Sequence, residues 1–361
     1  MKILVLSETY PDLKPSFGMM YVHVRCREYQ KSGIDVTVLN FRAAEDYTID
    51  GVKVVAAASC VPKEGEYDCL ISHAPNLRHH LRFLDKYGTL FPHFIFFFHG
   101  HEVMDIGKTY PKPYSYMKKN SFLHVLYDPY KLRVMSRTLV RYAEKSDFIF
   151  VSSWLRQTAF HFLKIDSQDL LNHDRVISNS VGPDFCGQSY AADAEKTYDF
   201  ITVRSIIDGS TYCVDFVNRL AAANPDLKFL LIGRGKYFDY ADRAANLEFR
   251  NQTMTHREII SCLNRSRCAL MPTRHDTQGV MSCETATFGM PLITSDIPVT
   301  REVFASFPNV GFIKNEDDSA DLHGILAQLE KGIPYPKNKT YFPENTIGPE
   351  IQMLQNLQKN S

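Results

Sequence analysis

Residues 2–40 read KILVLSETYPDLKPSFGMMYVHVRCREYQKSGIDVTVLN. An apolar run, KILVLS, gives way to a polar loop, ETYPDLKPSFG, then to a helical pattern from about Met19 to Ser32 closed by Gly33, then to a second apolar run, IDVTVLN. Strand, helix and strand in that order make a βαβ unit, and its two strands lie parallel because the helix carries the chain back along the sheet. Further short runs follow at 68–73 (DCLISH), 93–98 (HFIFFF), 147–153 (DFIFVSS) and 175–181 (RVISNSV). Runs that are apolar throughout predict strands buried on both faces, hence a parallel sheet between helical layers.

A polar stretch at 182–199, GPDFCGQSYAADAEKTYD, interrupts the pattern and reads as a linker. Alternation then restarts with FITVRS (200–205), a helix from about Tyr212 to Ala223 stopped by Asn224-Pro225, and KFLLIG (228–233). Thr255 to Glu258 fit a capping box, and CALMPT (268–273) is the next strand. The tail holds a helical pattern near Asp318 to Lys331, a Pro-broken stretch, and a last helix from about Pro349 to Gln358. A chain of 361 residues exceeds one comfortable core, so two domains are expected, at 1–182 and 183–342, with a closing helix in 343–361 that crosses back to the first. No internal sequence repeat is evident.

With 44% apolar and 23% charged residues, and 41 cations against 41 anions, the composition is that of an ordinary globular chain of zero net charge. It names no polyanionic partner and argues against a dedicated nucleic-acid binder. The eight cysteines are scattered, with no CxxC pair and no zinc-like spacing, which fits free thiols in a reducing cytoplasm. The apolar run Ile3 to Leu6 is too short for a secretory or membrane-spanning segment.

The chemistry concentrates in 274–296, RHDTQGVMSCETATFGMPLITSD. In open parallel sheets, ligands sit outside the carboxyl ends of strands, where loops lead into helix N-termini. With helix entry near Gly279 or Val280, the amides of the first turn, including Met281, and the positive end of the macrodipole suit a diphosphate. Gly279 lets the backbone approach closely. Glu284, one turn on, can accept from paired hydroxyls such as those of a ribose, and Asp276 faces the other end of the ligand. The same residues also fit a plainer reading, with Asp276 as a helix cap and Glu284 as an exposed helix residue.

The spacing of these residues resembles the signature of the retaining glycosyltransferases of family four: an acid, seven residues, Glu, Gly third after the acid, and a small-residue helix running into G-x-P-L-I. The resemblance implies a GT-B fold, α/β, with two Rossmann-like domains whose parallel sheets face each other across a cleft. Here Asp276 stands where the family usually has Glu. KILVLSETYPD followed by FGMMYV looks like the family's first strand and glycine loop, placing Gly18 at the donor diphosphate. FFFHGHE looks like its strand ending in His-Gly, which implies His99 near the reaction centre, and VISNSV looks like its IPNGV segment. In ITVRSIIDGSTYCVDF, Arg204 fits the arginine that binds the leaving diphosphate, but the lysine that should follow is absent, since 208–212 read Asp, Gly, Ser, Thr, Tyr. Arg234 or Lys236 is the expected substitute charge.

What the resemblance implies is a retaining transfer from a nucleoside diphosphate sugar, UDP-linked by preference, without a metal or other cofactor. Arg204 and the amides of Gly279, Val280 and Met281 would hold the diphosphate, Glu284 the ribose, Asp276 the transferred sugar, and His99 the donor sugar or phosphate. The absence of an Asp-x-Asp motif agrees with metal independence. For the acceptor, the stretch from Lys108 to Lys145 interleaves Lys112, Lys118, Lys119, Lys131, Arg133, Arg137 and Arg141 with Tyr114, Tyr116, Phe122, Tyr127 and Tyr130. It suits either a solvated basic face or an anionic membrane carrying a glycan or polyprenyl-diphosphate-linked acceptor of bacterial polysaccharide assembly. Two rival readings remain: a GT-B sugar-nucleotide epimerase, and a noncatalytic nucleotide-sugar or glycan-binding module. A nicotinamide dehydrogenase is disfavoured because the loop after the first strand holds no GxGxxG.

Overall fold

The computed structural model describes residues 1–12, 19–117 and 121–360, with side chains left aside at 121–124 and 360. Gly18, Lys118 and Lys119 lie outside the described residues. The chain forms two compact units: Met1–Thr109 with Ser121–Ser180 and Pro343–Ser361, and Tyr110–Asn120 with Val181–Phe342.

The first unit is built on an eight-stranded sheet in the order β3-β4-β2-β1-β5-β6-β7-β8. Its strands are β1 (Lys2–Ser7), β2 (Asp35–Asn40), β3 (Tyr47–Ile49), β4 (Val52–Ala56), β5 (Cys69–His73), β6 (Phe94–Phe98), β7 (Ser146–Phe150) and β8 (Asp174–Val176). All neighbours pair in parallel except β3 and β4. The FIFFF run earns its central place by burial on both faces, and its register sets Phe96 opposite Phe148 and Phe98 opposite Phe150. Those rings stack at 5.7 and 4.9 Å, the aromatic cross-strand pairing that pins a sheet's register. The β3–β4 hairpin turns on Asp50-Gly51, both at positive φ (47° and 81°), the backbone that a two-residue primed turn demands. The RVISNSV run yields only a three-residue strand, β8, before the chain turns irregular at Ile177.

Helix Met20–Lys31 returns the chain from β1 to β2 and is closed by Gly33 at φ 82°. Its fully buried Arg25 pairs with Glu350 of the final helix, Ile347–Asn360, which packs on this unit. The same guanidinium donates to Asn179 Oδ1 at 2.8 Å, so the asparagine of the VISNSV segment serves the packing of this core.

The second unit holds a six-stranded, wholly parallel sheet in the order β11-β10-β9-β12-β13-β14. Its strands are β9 (Tyr198–Ile206), β10 (Phe229–Arg234), β11 (Leu247–Arg250), β12 (Ser266–Met271), β13 (Leu292–Ser295) and β14 (Val310–Ile313). The chain first adds strands on one side of β9 and then on the other, so the order reverses between β9 and β12. The 182–199 stretch is packed on this unit, with Tyr190 OH donating to Ser266 O at 2.7 Å and Lys196 Nζ to Asn264 O at 2.8 Å. Thr255 and Glu258 form the expected capping box at the start of helix His256–Asn264.

Candidate donor site of the second unit

The point where strand order reverses is where a parallel sheet opens a crevice at its carboxyl edge. Here that edge carries Arg204 at the end of β9 and the loop Thr273 to Gly279 after β12. The two loops are stitched together: Thr211 O accepts from Thr273 Oγ1 at 3.1 Å and from Arg274 N at 2.8 Å.

Arg204 is 8% exposed, and its Nη2 donates to Pro272 O at 2.7 Å. Its Nε is buried without a hydrogen-bond partner among the described residues, an expensive state for a guanidinium that an anionic ligand would relieve. The guanidinium sits over the Tyr212 ring at 4.9 Å. Burial lowers its affinity for the proton while Tyr212 and Asp276 oppose that, which places both residues within electrostatic reach.

Arg274 is not available to a ligand. Its guanidinium is held by Asp215 at 2.6 and 2.9 Å, by Ser210 O at 2.7 Å and by Glu316. It opens the 274–296 stretch, and the acids that claim it come from distant parts of the chain. His275 is buried and packs against the ring of Tyr110 at 4.1 Å.

Asp276 Oδ1 accepts from the amides of Thr277 at 2.8 Å and Gln278 at 3.2 Å, a local turn in the loop before the helix, so Asp276 is not the helix cap of the plainer reading. Its Oδ2 carries no hydrogen bond among the described residues. Gly279 follows at φ 76°, a backbone angle that favours glycine, and a Cβ there would press on Asp276 Oδ2 at 3.0 Å. Helix Val280–Phe288 starts directly after it with no side-chain cap, leaving the first-turn amides near Val280 and Met281 for a ligand; Gly289 closes it at φ 88°.

Glu284 differs from an exposed helix residue: it is 5% exposed. Its Oε1 accepts from Gly182 N at 3.0 Å and lies 3.9 Å from His256 Nε2. Burial raises its pKa, with His256 and the Gly182 amide pulling the other way. Oε2 is the carboxylate oxygen with no hydrogen bond among the described residues. Gly182 and His256 had no sequence signal as site neighbours beyond lying at a linker edge and a helix start. Arg234 and Lys236 are exposed at the end of β10, next to β9.

His99 lies in the first unit, at the end of β6. Its Nε2 meets His73 Nδ1 at 3.2 Å, its ring leans on Tyr21 at 4.5 Å, and its amide donates to Glu102. Gly100 follows at φ 148° and also donates to Glu102, at 3.0 Å. Burial, then Arg25 and His101, hold the His99 pKa well below the ordinary imidazole value, so the ring is neutral at pH 7.

The basic stretch divides. Lys131 is buried, with Asp128 Oδ1 at 2.9 Å and two backbone carbonyls on its ammonium, and so is no surface charge. Tyr114 and Tyr116 are tied into the second unit through Asp215 (2.7 Å) and Asp208 (2.8 Å). Exposed on helix Ser121–Tyr142 are Arg133 and Arg137, with Val125 (68%), Leu126 (68%) and Tyr130 (60%). No helix among the described residues is long and apolar enough to cross a membrane.

Residues 194–342 match the family model described as glycosyl transferases group 1. No curated protein sequence matches the chain. Among solved structures, sucrose-phosphate synthase from Thermosynechococcus elongatus aligns with a TM-score of 0.70 at 14% identity, over 100% of both chains. Anabaena HepE, solved in complex with UDP and glucose, aligns at 0.67 with 13% identity over 99% of this chain and 100% of its own. WaaG, a glycosyltransferase involved in lipopolysaccharide biosynthesis, aligns at 0.65 with 10% identity over 98% and 99%.

Proposed function

We propose, for a chain that belongs to the glycosyl transferases of group 1 through residues 194–342 and has the GT-B fold, a retaining transfer from a nucleoside diphosphate sugar to a hydroxyl acceptor. The donor is UDP-linked by preference, which HepE's complex with UDP supports. The acceptor is a glycan or lipid-linked glycan of cell-surface polysaccharide assembly, the setting to which WaaG's lipopolysaccharide role lends support.

The carrying observation is the unpartnered, buried Nε of Arg204 beside the uncapped N-terminus at Gly279, on the reversal point of a parallel sheet. In the reaction the bond from the anomeric carbon to the β-phosphate oxygen breaks, and its electron pair stays on the diphosphate. The acceptor oxygen bonds to the same face of that carbon and yields its proton to the departing phosphate oxygen. Arg204 and the amides of Gly279, Val280 and Met281 stabilise the growing charge, preorganised at no cost when the bond breaks. Glu284 Oε2 takes the ribose hydroxyls, Asp276 Oδ2 a hydroxyl of the transferred sugar, and His99 acts as a neutral partner for donor sugar or phosphate. No covalent nucleophile is assigned, and the transfer is proposed to run without metal.

The test is binding of UDP, GDP, ADP and NAD, with their sugar conjugates, in EDTA, to the parent protein and Arg204→Ala. Binding of one nucleoside diphosphate series, lost in Arg204→Ala, supports the donor site. A response to NAD alone rejects it. Sugar conversion without any acceptor would favour the epimerase reading, and binding without turnover the noncatalytic module. We further propose a cytoplasmic protein resting on the inner membrane face through the exposed apolar and basic face of helix Ser121–Tyr142.

A further inference from the structure

The stretch where the family resemblance leads one to expect a lysine, Asp208 to Tyr212, holds no cation, and most of its polar groups are already engaged. Asp208 Oδ1 accepts from Lys236 N and Tyr116 OH, both at 2.8 Å. Ser210 Oγ donates to Lys112 O at 2.7 Å, and Thr211 O is taken by Thr273 and Arg274. Tyr212 is the exception. Its ring lies under the Arg204 guanidinium at 4.9 Å, and its hydroxyl forms no hydrogen bond among the described residues.

Tyr212 also lies within the electrostatic reach of Asp276, as Arg204 does. Arg204 and Tyr212 are in ring contact, and Thr211, next to Tyr212, is bonded to Thr273 and Arg274 of the loop that leads to Asp276, so geometry joins these residues at the carboxyl edge of β9 and β12, where the diphosphate reading needs donors. Burial first, and Asp276 second, raise the phenol's pKa, so its proton stays in place as a donor. Arg234 and Lys236, the expected substitute charges, are exposed at the end of β10.

We propose that the Tyr212 hydroxyl donates a hydrogen bond to the departing diphosphate, standing where a lysine would otherwise serve. The inference rests on the donor reading above. It makes the site's charge balance differ from a two-cation clamp: one guanidinium, one neutral hydroxyl and the helix amides share the leaving group.

The experiment is calorimetric titration of UDP, GDP and ADP, and of the matching monophosphates, into the parent protein and Tyr212→Phe. The Phe ring keeps the contact with Arg204 and removes only the oxygen, and equal melting temperatures verify that the fold is kept. Expected is a loss of about tenfold or more for the preferred diphosphate, with the monophosphate changed by less than about twofold. Equal diphosphate affinity in the two proteins overturns the proposal and moves the missing charge to Arg234 or Lys236. A parent protein that binds no diphosphate rejects the donor reading itself, and the role of Tyr212 with it.

Discussion

Arg25 and Glu350 stand 325 residues apart in sequence and share a bifurcated contact, with Nε donating to the two carboxylate oxygens at 3.0 and 3.2 Å and neither side chain exposed. Tyr29 OH adds a hydrogen bond to Glu350 at 2.6 Å. Desolvation makes such a pair a poor net stabiliser, yet removal of one partner strands the other charge in the core. Glu350→Ala should cost about 3–5 kcal/mol in chemical denaturation, whereas Arg25→Met combined with Glu350→Leu should cost far less than the sum. Additive losses would show that the two groups are not coupled.

Glu284 gives the pH signature of the second unit. Burial raises its folded pKa above the ordinary 4.5, so between those values the folded state binds more protons than the unfolded one. Its contribution to stability is therefore greatest below pH 4.5 and is lost as pH rises through the folded value. Glu284→Gln keeps an acceptor for the Gly182 amide and sheds the buried charge. Its melting temperature should match the parent below pH 4.5 and exceed it increasingly above, while its nucleotide affinity falls. A constant gap across pH would show that the carboxylate is not the titrating group.

His99 is expected to act without changing charge. Because its folded pKa lies well below the ordinary 6.5, kcat/KM should show no acid limb from this imidazole between about pH 6 and 8. His99→Ala should lower kcat about 100-fold, in the range seen for loss of one preorganised polar group, while Tyr21→Phe leaves the pH profile flat. An imidazole limb near 6.5 that disappears in His99→Ala would contradict the assignment.

Much of this was readable from the chain because parallel sheets write themselves as unbroken apolar runs. FIFFF reads as a strand with both faces covered, and Gly279 and Gly289 bound a helix at the carboxyl edge of the next sheet. Arg204, Asp276 and Gly279 come together because each ends a strand or opens a helix there. What escaped was set by contacts that spacing does not carry. Arg274 stands in the stretch where the chemistry concentrates, yet Asp215 and Glu316, 59 and 42 residues away, claim it. Tyr114 and Tyr116 looked like part of a basic face until Asp215 and Asp208 drew them into the second unit. Two misses did have local signals: Asp50-Gly51 announced the β3–β4 hairpin, and Asp128, three residues before Lys131, announced its buried partner.

Helix Ser121–Tyr142 supplies the last prediction. Leu126, Tyr130, Arg133 and Arg137 are spaced four, three and four residues apart, so they share one face, and the apolar members stand 68% and 60% exposed. An apolar half followed by a cationic half on one exposed face matches a helix lying in a headgroup layer. Each arginine near an anionic surface is worth about 1 kcal/mol, so Arg133→Glu with Arg137→Glu should weaken binding to phosphatidylglycerol vesicles by more than about 30-fold. Leu126→Glu with Tyr130→Glu should weaken it on neutral and anionic vesicles alike, because that pair supplies buried area and not charge. Cosedimentation that both double variants leave intact would remove the membrane from the proposed function and leave the donor site untouched.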